Sequence, residues 1–126
     1  MCIRDSYQAV GWTNYTHQPQ MLEQALSHSL AIYMALDGDA VVGLVRLVGD
    51  GFSSVFVQDL IVLPSYQRQG IGSCLMKEAL GDYKDTYQVQ LVTDQTEKTL
   101  GFYRSLGFET LSTYDCTGMI WLDRKK

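Results

Sequence analysis

The sequence predicts a layered α/β or α+β fold, and two observations lead there. The 126 residues are 46% hydrophobic, 11% aromatic and 19% charged with two prolines, the make-up of an ordinary folded protein with one core. The periodicities run in the order helix, three β-rich runs joined by turns, helix, strand, helix, strand, an alternation that a sheet covered by helices accommodates. With no repeat, low-complexity tract or Pro/Ser-rich linker, we expect a single domain over residues 1–126.

The elements follow in chain order. Residues 1–6 (Met-Cys-Ile-Arg-Asp-Ser) show neither strand alternation nor a helical stripe and read as a non-native start. Tyr7 to Trp12 reads like a helix end stopped by Gly11, so something that should precede it is missing. Pro19 suits a first helical position, and Leu22, Ala25, Leu26 and Ser29 at helical spacing predict an amphipathic helix over 19–29. Residues 31–36 and 40–48 form a hairpin about Asp37-Gly38-Asp39. After a turn at Asp50-Gly51, residues 54–62 (Ser-Val-Phe-Val-Gln-Asp-Leu-Ile-Val) are apolar on both faces, which places that strand centrally. Pro64 ends it. Ile71, Leu75, Met76, Ala79 and Leu80 mark a helix from Gly70 that Gly81 stops. Residues 88–93 make a fourth strand, 97–106 a helix closed by Gly107, and 119–122 a final strand.

Charge excludes some functions. Ten Lys plus Arg against fourteen Asp plus Glu give a net charge of −4, so the long-range field repels nucleic acid while a local site for one phosphate-bearing ligand stays open. The longest apolar run falls short of the roughly 18 residues of a membrane span, and nothing at the start resembles a signal peptide, so a cytoplasmic location without membrane contact is expected. Cys2, Cys74 and Cys116 lack CxxC spacing, so neither a disulfide framework nor a metal site is expected.

Chemistry concentrates at Gln67-Arg68-Gln69-Gly70-Ile71-Gly72-Ser73, between a buried strand and a helix. Gly70 and Gly72 let the backbone approach a ligand, and the first-turn amides point outward as free donors reinforced by the helix dipole. Such a helix start suits a pyrophosphate, with Arg68 adding one formal charge. The alternative is that the two glycines only let the helix pack closely on the strand. The loop is not a dinucleotide-binding GxGxxG, because Leu75 stands where the third glycine would be, nor a Walker loop, because Gly-Lys-Ser/Thr is absent.

The stretch from Asp59 through Val62-Leu63-Pro64 and Gln67-Arg68-Gln69-Gly70-Ile71-Gly72 to Met76 resembles the acyl-CoA signature of the GCN5-related N-acetyltransferases, Arg/Gln-x-x-Gly-x-Gly/Ala after a strand ending in Val-x-Pro. A second block, Gly101-Phe102-Tyr103-Arg104-Ser105-Leu106-Gly107-Phe108, follows at the family's distance. The wider wording, Gly11-Trp12, Gly43-Leu44-Val45-Arg46 and Gly118-Met119-Ile120-Trp121, is similar to small bacterial members and to serotonin N-acetyltransferase-like enzymes. The resemblance implies a mixed, twisted, mostly antiparallel sheet flanked by helices, with acetyl-CoA as co-substrate in a gap where central strands splay. It also implies that the family's first strand is lacking here. By position, Leu60, Ile61 and Val62 would pair with the pantetheine arm, and Arg68, Gln69, Gly70, Ile71, Gly72 and Ser73 would hold the pyrophosphate. Thr96 stands where many relatives carry a cofactor-contacting asparagine, and Tyr103 where the family has a tyrosine near the CoA sulfur.

Acetyl transfer to an amine needs a neutral nitrogen, an oxyanion donor and a proton for the departing thiolate. Tyr103 is the candidate acid, against a reading as core aromatic. Asp59, a carboxylate in an apolar strand, is either the base or a structural ion-pair partner. No Cys-His arrangement appears, which favours direct attack over an acyl-cysteine. The acceptor is expected to be a primary amine of a small molecule, with a protein amine or a catalytically silent acyl-CoA-binding module as alternatives, and the sheet edge that a lacking first strand would expose predicts either a homodimer or an aggregation-prone chain.

Overall fold

The computed structural model describes residues 19–122; the helix end expected at Tyr7–Trp12 and the reading of residues 1–6 lie outside them. The chain forms two compact units, one ending at Val92 and one beginning at Thr93.

The first unit contains helix α1 (Pro19–Ser27), strands β1 (Ala31–Asp37), β2 (Ala40–Gly49) and β3 (Ser54–Val62), a 3-10 turn (Pro64–Tyr66), helix α2 (Ile71–Asp82) and strand β4 (Gln88–Leu91). The strands form one sheet in the order β1-β2-β3-β4. The first three are antiparallel and β4 runs parallel to β3, as a strand returning through a helix must. The turn between β2 and β3 is built on Asp50, whose carboxylate accepts from the amides of Phe52 (2.7 Å) and Ser53 (2.8 Å) and from Ser53 Oγ (2.6 Å).

The two helices cover opposite faces of the sheet. A Cβ on Gly43 would lie 3.1 Å from Ile71 Cγ2 and 3.4 Å from Leu75 Cδ1, so Gly43 faces α2 and its missing side chain permits the close approach. Arg46, three residues on and therefore on the other face, reaches Ala25 O at the end of α1. Between these layers β2 is buried throughout Val41–Leu47. Leu22, Leu44, Val45, Leu47, Val55 and Met76 form the centre of the core.

β3 is paired on both sides, central as the sequence predicts, and β2 beside it is the strand buried throughout, caught between the helix layers, while the burial of β3 alternates. Two sequence expectations need correction. Gly81 does not stop the helix, which runs through it to Asp82 and ends at Tyr83, whose amide donates to Ala79 O. Residues 119–122 form no strand; they are exposed by 95%, 80%, 80% and 61%, and no ladder in the described sheet includes them. A β-rich sequence becomes a strand only where a neighbour supplies hydrogen bonds.

The second unit, within the described residues, holds helix α3 (Glu97–Ser105) and a 3-10 turn (Leu111–Tyr114). Thr96 caps α3, its Oγ1 accepting from the Thr99 amide. Gly107, at φ +100°, terminates the helix as the sequence predicts.

Candidate active site

In the first unit the site begins where the sheet opens. The β3–β4 ladder runs from Ser54↔Gln88 to Val57↔Leu91 and stops. At that level the β2–β3 register slips between Arg46↔Asp59 and Leu47↔Val57, which makes Gln58 an extra, bulged residue. Beyond the bulge, Leu60, Ile61 and Val62 stay paired to Val45, Leu44 and Gly43. Among the described residues, no strand pairs with them on the side away from β2. An unpaired strand edge of this kind offers alternating amides and carbonyls to any extended, amide-containing ligand.

The chain then enters the glycine-containing loop. Tyr66 N donates to Leu63 O (2.9 Å), and Gln67 Nε2 donates to the Val62 carbonyl (3.0 Å), tying the loop to the strand end. The Tyr66 hydroxyl donates to Asp37 at the tip of the β1–β2 hairpin. Arg68 (φ +67°) and Gly70 (φ +79°) both adopt the left-handed region. For Gly70 this conformation is free; for Arg68 it costs on the order of 1–2 kcal/mol, and strain held in a loop beside an open site points to function. The first amide of α2 to donate is that of Cys74, to Gly70 O (3.0 Å). The amides of residues 71–73 therefore have no carbonyl within the helix, and they sit at its positive dipole end.

A shallow open cleft at this helix start is lined by Gly70, Ser73, Cys74, Lys77 and Glu78. Lys77 is a candidate that sequence reasoning missed. Its signal was the spacing Gly70, Ser73/Cys74, Lys77, which puts a cation one turn behind the free amides on the same helix face. The structure thus brings Leu60–Val62 and Arg68–Ser73 into one continuous strand-loop-helix segment.

Asp59 is held differently. It is 1% exposed, and Arg46 Nε donates to its Oδ2 at 2.7 Å. The guanidinium also contacts Ser29 Oγ (3.3 Å) and Ala25 O (3.4 Å) through Nη1. Of the two roles considered for this carboxylate, the geometry fits the ion-pair partner.

Thr96 and Tyr103 belong to the second unit. Thr96 Oγ1 donates to Asp94 Oδ1 (2.7 Å) and accepts from the Thr99 amide (3.3 Å), so its hydroxyl is committed to capping α3. Tyr103 is half-buried between Phe102 and Phe108, with edge-on ring centroids at 5.0 Å and 5.9 Å. Burial and the nearby charge of Asp94 push its phenol above the usual value, because both disfavour phenolate. It is therefore a protonated donor at neutral pH.

The family model described as an acetyltransferase (GNAT) domain matches residues 28–110. Serotonin N-acetyltransferase 2, chloroplastic, of rice is 30% identical over 95 residues, which are 72% of this chain and 48% of the rice protein; the chain spans about half the length of that relative. A GNAT-family acetyltransferase of Streptococcus pneumoniae has a solved structure that is 78% identical, with a TM-score of 0.88 over 97% of this chain and 89% of that one. A GNAT-family acetyltransferase of Elizabethkingia anophelis, solved with acetyl-CoA bound, shares the fold at 21% identity and a TM-score of 0.61, covering 74% of this chain and 62% of that one.

Proposed function

We propose that this chain, which belongs to the acetyltransferase (GNAT) family, is an acetyl-CoA-dependent N-acetyltransferase acting on a primary amine of a small molecule. The observation that carries the reading is the segment from Leu60 to Ser73: an unpaired strand edge leading into a left-handed loop and a helix start with free amides. The open edge of Leu60–Val62 suits the amide-rich pantetheine arm. The amides of residues 71–73, with Gly70, Gly72 and the Gln69 backbone giving close approach and Arg68 and Lys77 adding charge, suit the pyrophosphate.

Transfer then proceeds by direct attack. The amine nitrogen forms the new C–N bond at the thioester carbonyl as the C–S bond breaks, and a backbone amide at the end of β3 stabilises the oxyanion between those events. Tyr103 gives its proton to the leaving thiolate and is reprotonated from solvent, which also takes the proton that the nitrogen loses as the amide forms. Asp59, already bound to Arg46 and out of contact with solvent, we assign to holding the strand; the ammonium proton of the acceptor leaves to water. We further propose that the protein works in the cytoplasm as a homodimer. The commitment of the Thr96 hydroxyl to a helix cap favours a second reading, a module that binds acyl-CoA without turnover, since the one O–H of Thr96 is given to Asp94.

A thermal-melt series tests the cofactor site. Acetyl-CoA or CoA at 100 times its dissociation constant should stabilise the fold by about 2.7 kcal/mol and raise the midpoint by several degrees, and ATP should not. A cooperative melt unmoved by acetyl-CoA overturns the proposal. A shift without amine-dependent thiol release selects the silent module.

A further inference from the structure

Arg46 and Asp59 face each other at the step where the β2–β3 register slips. We propose that Arg46 is a positioning residue for acyl transfer: its ion pair with Asp59 fixes the Gln58 bulge and thereby the direction in which Leu60–Val62 present their open edge. The inference rests on the acetyl-CoA reading and names what aims the strand within it.

The ladder supplies the need for such a group. Up to Val57, β3 is held between two strands; from Leu60 to Val62, β2 is the one strand among the described residues that pairs with it. A bulge bends and over-twists its strand, so the orientation of the free edge depends on whatever holds the bulge in one shape. Arg46 does this with a planar fork. Nε binds Asp59 Oδ2 at 2.7 Å while Nη1 contacts Ser29 Oγ and Ala25 O at the end of α1, and Ser29 Oγ itself donates to Ala25 O at 2.7 Å. The last turn of α1 carries no basic residue of its own, so Arg46 places a cation from the sheet against the helix's negative end. Three elements thus converge on one guanidinium.

Stability does not explain the pair. The two side chains are 5% and 0% exposed, and a buried ion pair gains little or nothing over apolar side chains of similar volume. What it adds is direction, since a bidentate-capable fork fixes an angle that a methyl contact does not. The same burial keeps Asp59 from touching an acceptor ammonium, so it acts through Arg46 and the backbone.

The test is amide hydrogen exchange by NMR on the full chain, with and without acetyl-CoA, combined with turnover. In the wild type, acetyl-CoA should protect the amides of Leu60 and Val62, which point away from β2 because the Leu63 amide donates to Val42 O on the other side, and shift those of residues 70–73. The double variant Arg46→Met, Asp59→Leu should still shift residues 70–73, bind CoA within about threefold of wild type, and lose at least tenfold in both strand protection and kcat. Arg46→Lys, which keeps the charge without the fork, should fall between the two and serves as the readout should the double variant fail to fold. Protection and kcat at wild-type level in either folded variant overturn the inference while leaving the cofactor reading intact. Absence of both effects in the wild type overturns the cofactor reading itself, and the inference with it.

Discussion

The Tyr103 hydroxyl stays a proton donor well past neutrality, because burial and the charge of Asp94 both work against phenolate. For an acid catalyst the sign is simple: the active form is the protonated one, and raising its pKa extends activity toward alkaline pH. We expect kcat to show no loss attributable to this group below its ordinary value of 10.0. If Tyr103 is the proposed acid, Tyr103→Phe should lower kcat by more than about tenfold while leaving the affinity for CoA nearly unchanged, since a proton donor of this kind acts in the transition state and not in binding. Steady-state kinetics with titrated CoA separates the two, and an unaltered kcat removes Tyr103 from the mechanism. Thr96 is the contrasting case. Its position in the chain marks an expected cofactor contact, and in the structure the hydroxyl donates to Asp94 and accepts from the Thr99 amide, a local capping role that sequence position does not register.

At the scale of elements, the helix start that carries the free amides is placed by how closely α2 lies on β2, and Gly43 sets that distance. A Cβ there already meets Ile71 Cγ2 at 3.1 Å and the Ile61 carbonyl at 3.3 Å, so a branched side chain must push the helix away from the sheet. Gly43→Val should cost about 1–3 kcal/mol of stability and weaken CoA binding beyond what that loss explains, because residues 71–73 move with the helix. Calorimetric binding on the folded fraction checks this; wild-type affinity would show that the helix start does not hold the ligand. Most of these elements were legible in the sequence because their signals are local. The 2.0 and 3.6 residue periods, the Asp37-Gly38-Asp39 turn and the Gly70 and Gly107 boundaries all act within a few residues. The parts that were not legible depend on distant partners. Gly81 failed as a stop because a helix interior tolerates glycine at a cost of about 1 kcal/mol where packing supports it, and Ala79 two residues earlier is buried. The Gln58 bulge left no mark in the run from Ser54 to Val62, since it is a relation between two strands. Asp59 could be recognised as a buried carboxylate, but its partner lies thirteen residues away across the ladder.

At the scale of the whole molecule, the described surface holds apolar area that a lone folded chain does not normally leave in water. Met119, Ile120, Trp121 and Leu122 are consecutive and exposed by 95%, 80%, 80% and 61%. Runs of this kind mark an interaction surface or an aggregation liability. On β1, an edge strand of the described sheet, Met34 and Leu36 are 47% and 62% exposed, and an edge with free backbone groups invites pairing. The net charge of −4 is modest, so long-range repulsion between copies is weak at physiological salt, where the Debye length is about 8 Å. Burying these four side chains against another copy should therefore win over leaving them hydrated, at about 25 cal/mol per Å² of apolar surface removed. We expect the protein to be a dimer by light scattering at micromolar concentration, and Met119→Lys with Ile120→Lys to shift it toward monomer without lowering the melting midpoint of the monomer. Those substitutions lie at exposed positions with no strand to break, so an unfolded variant would mean that the run packs within its own chain. A wild type that stays monomeric across that concentration range would mean that these residues need no second copy to cover them.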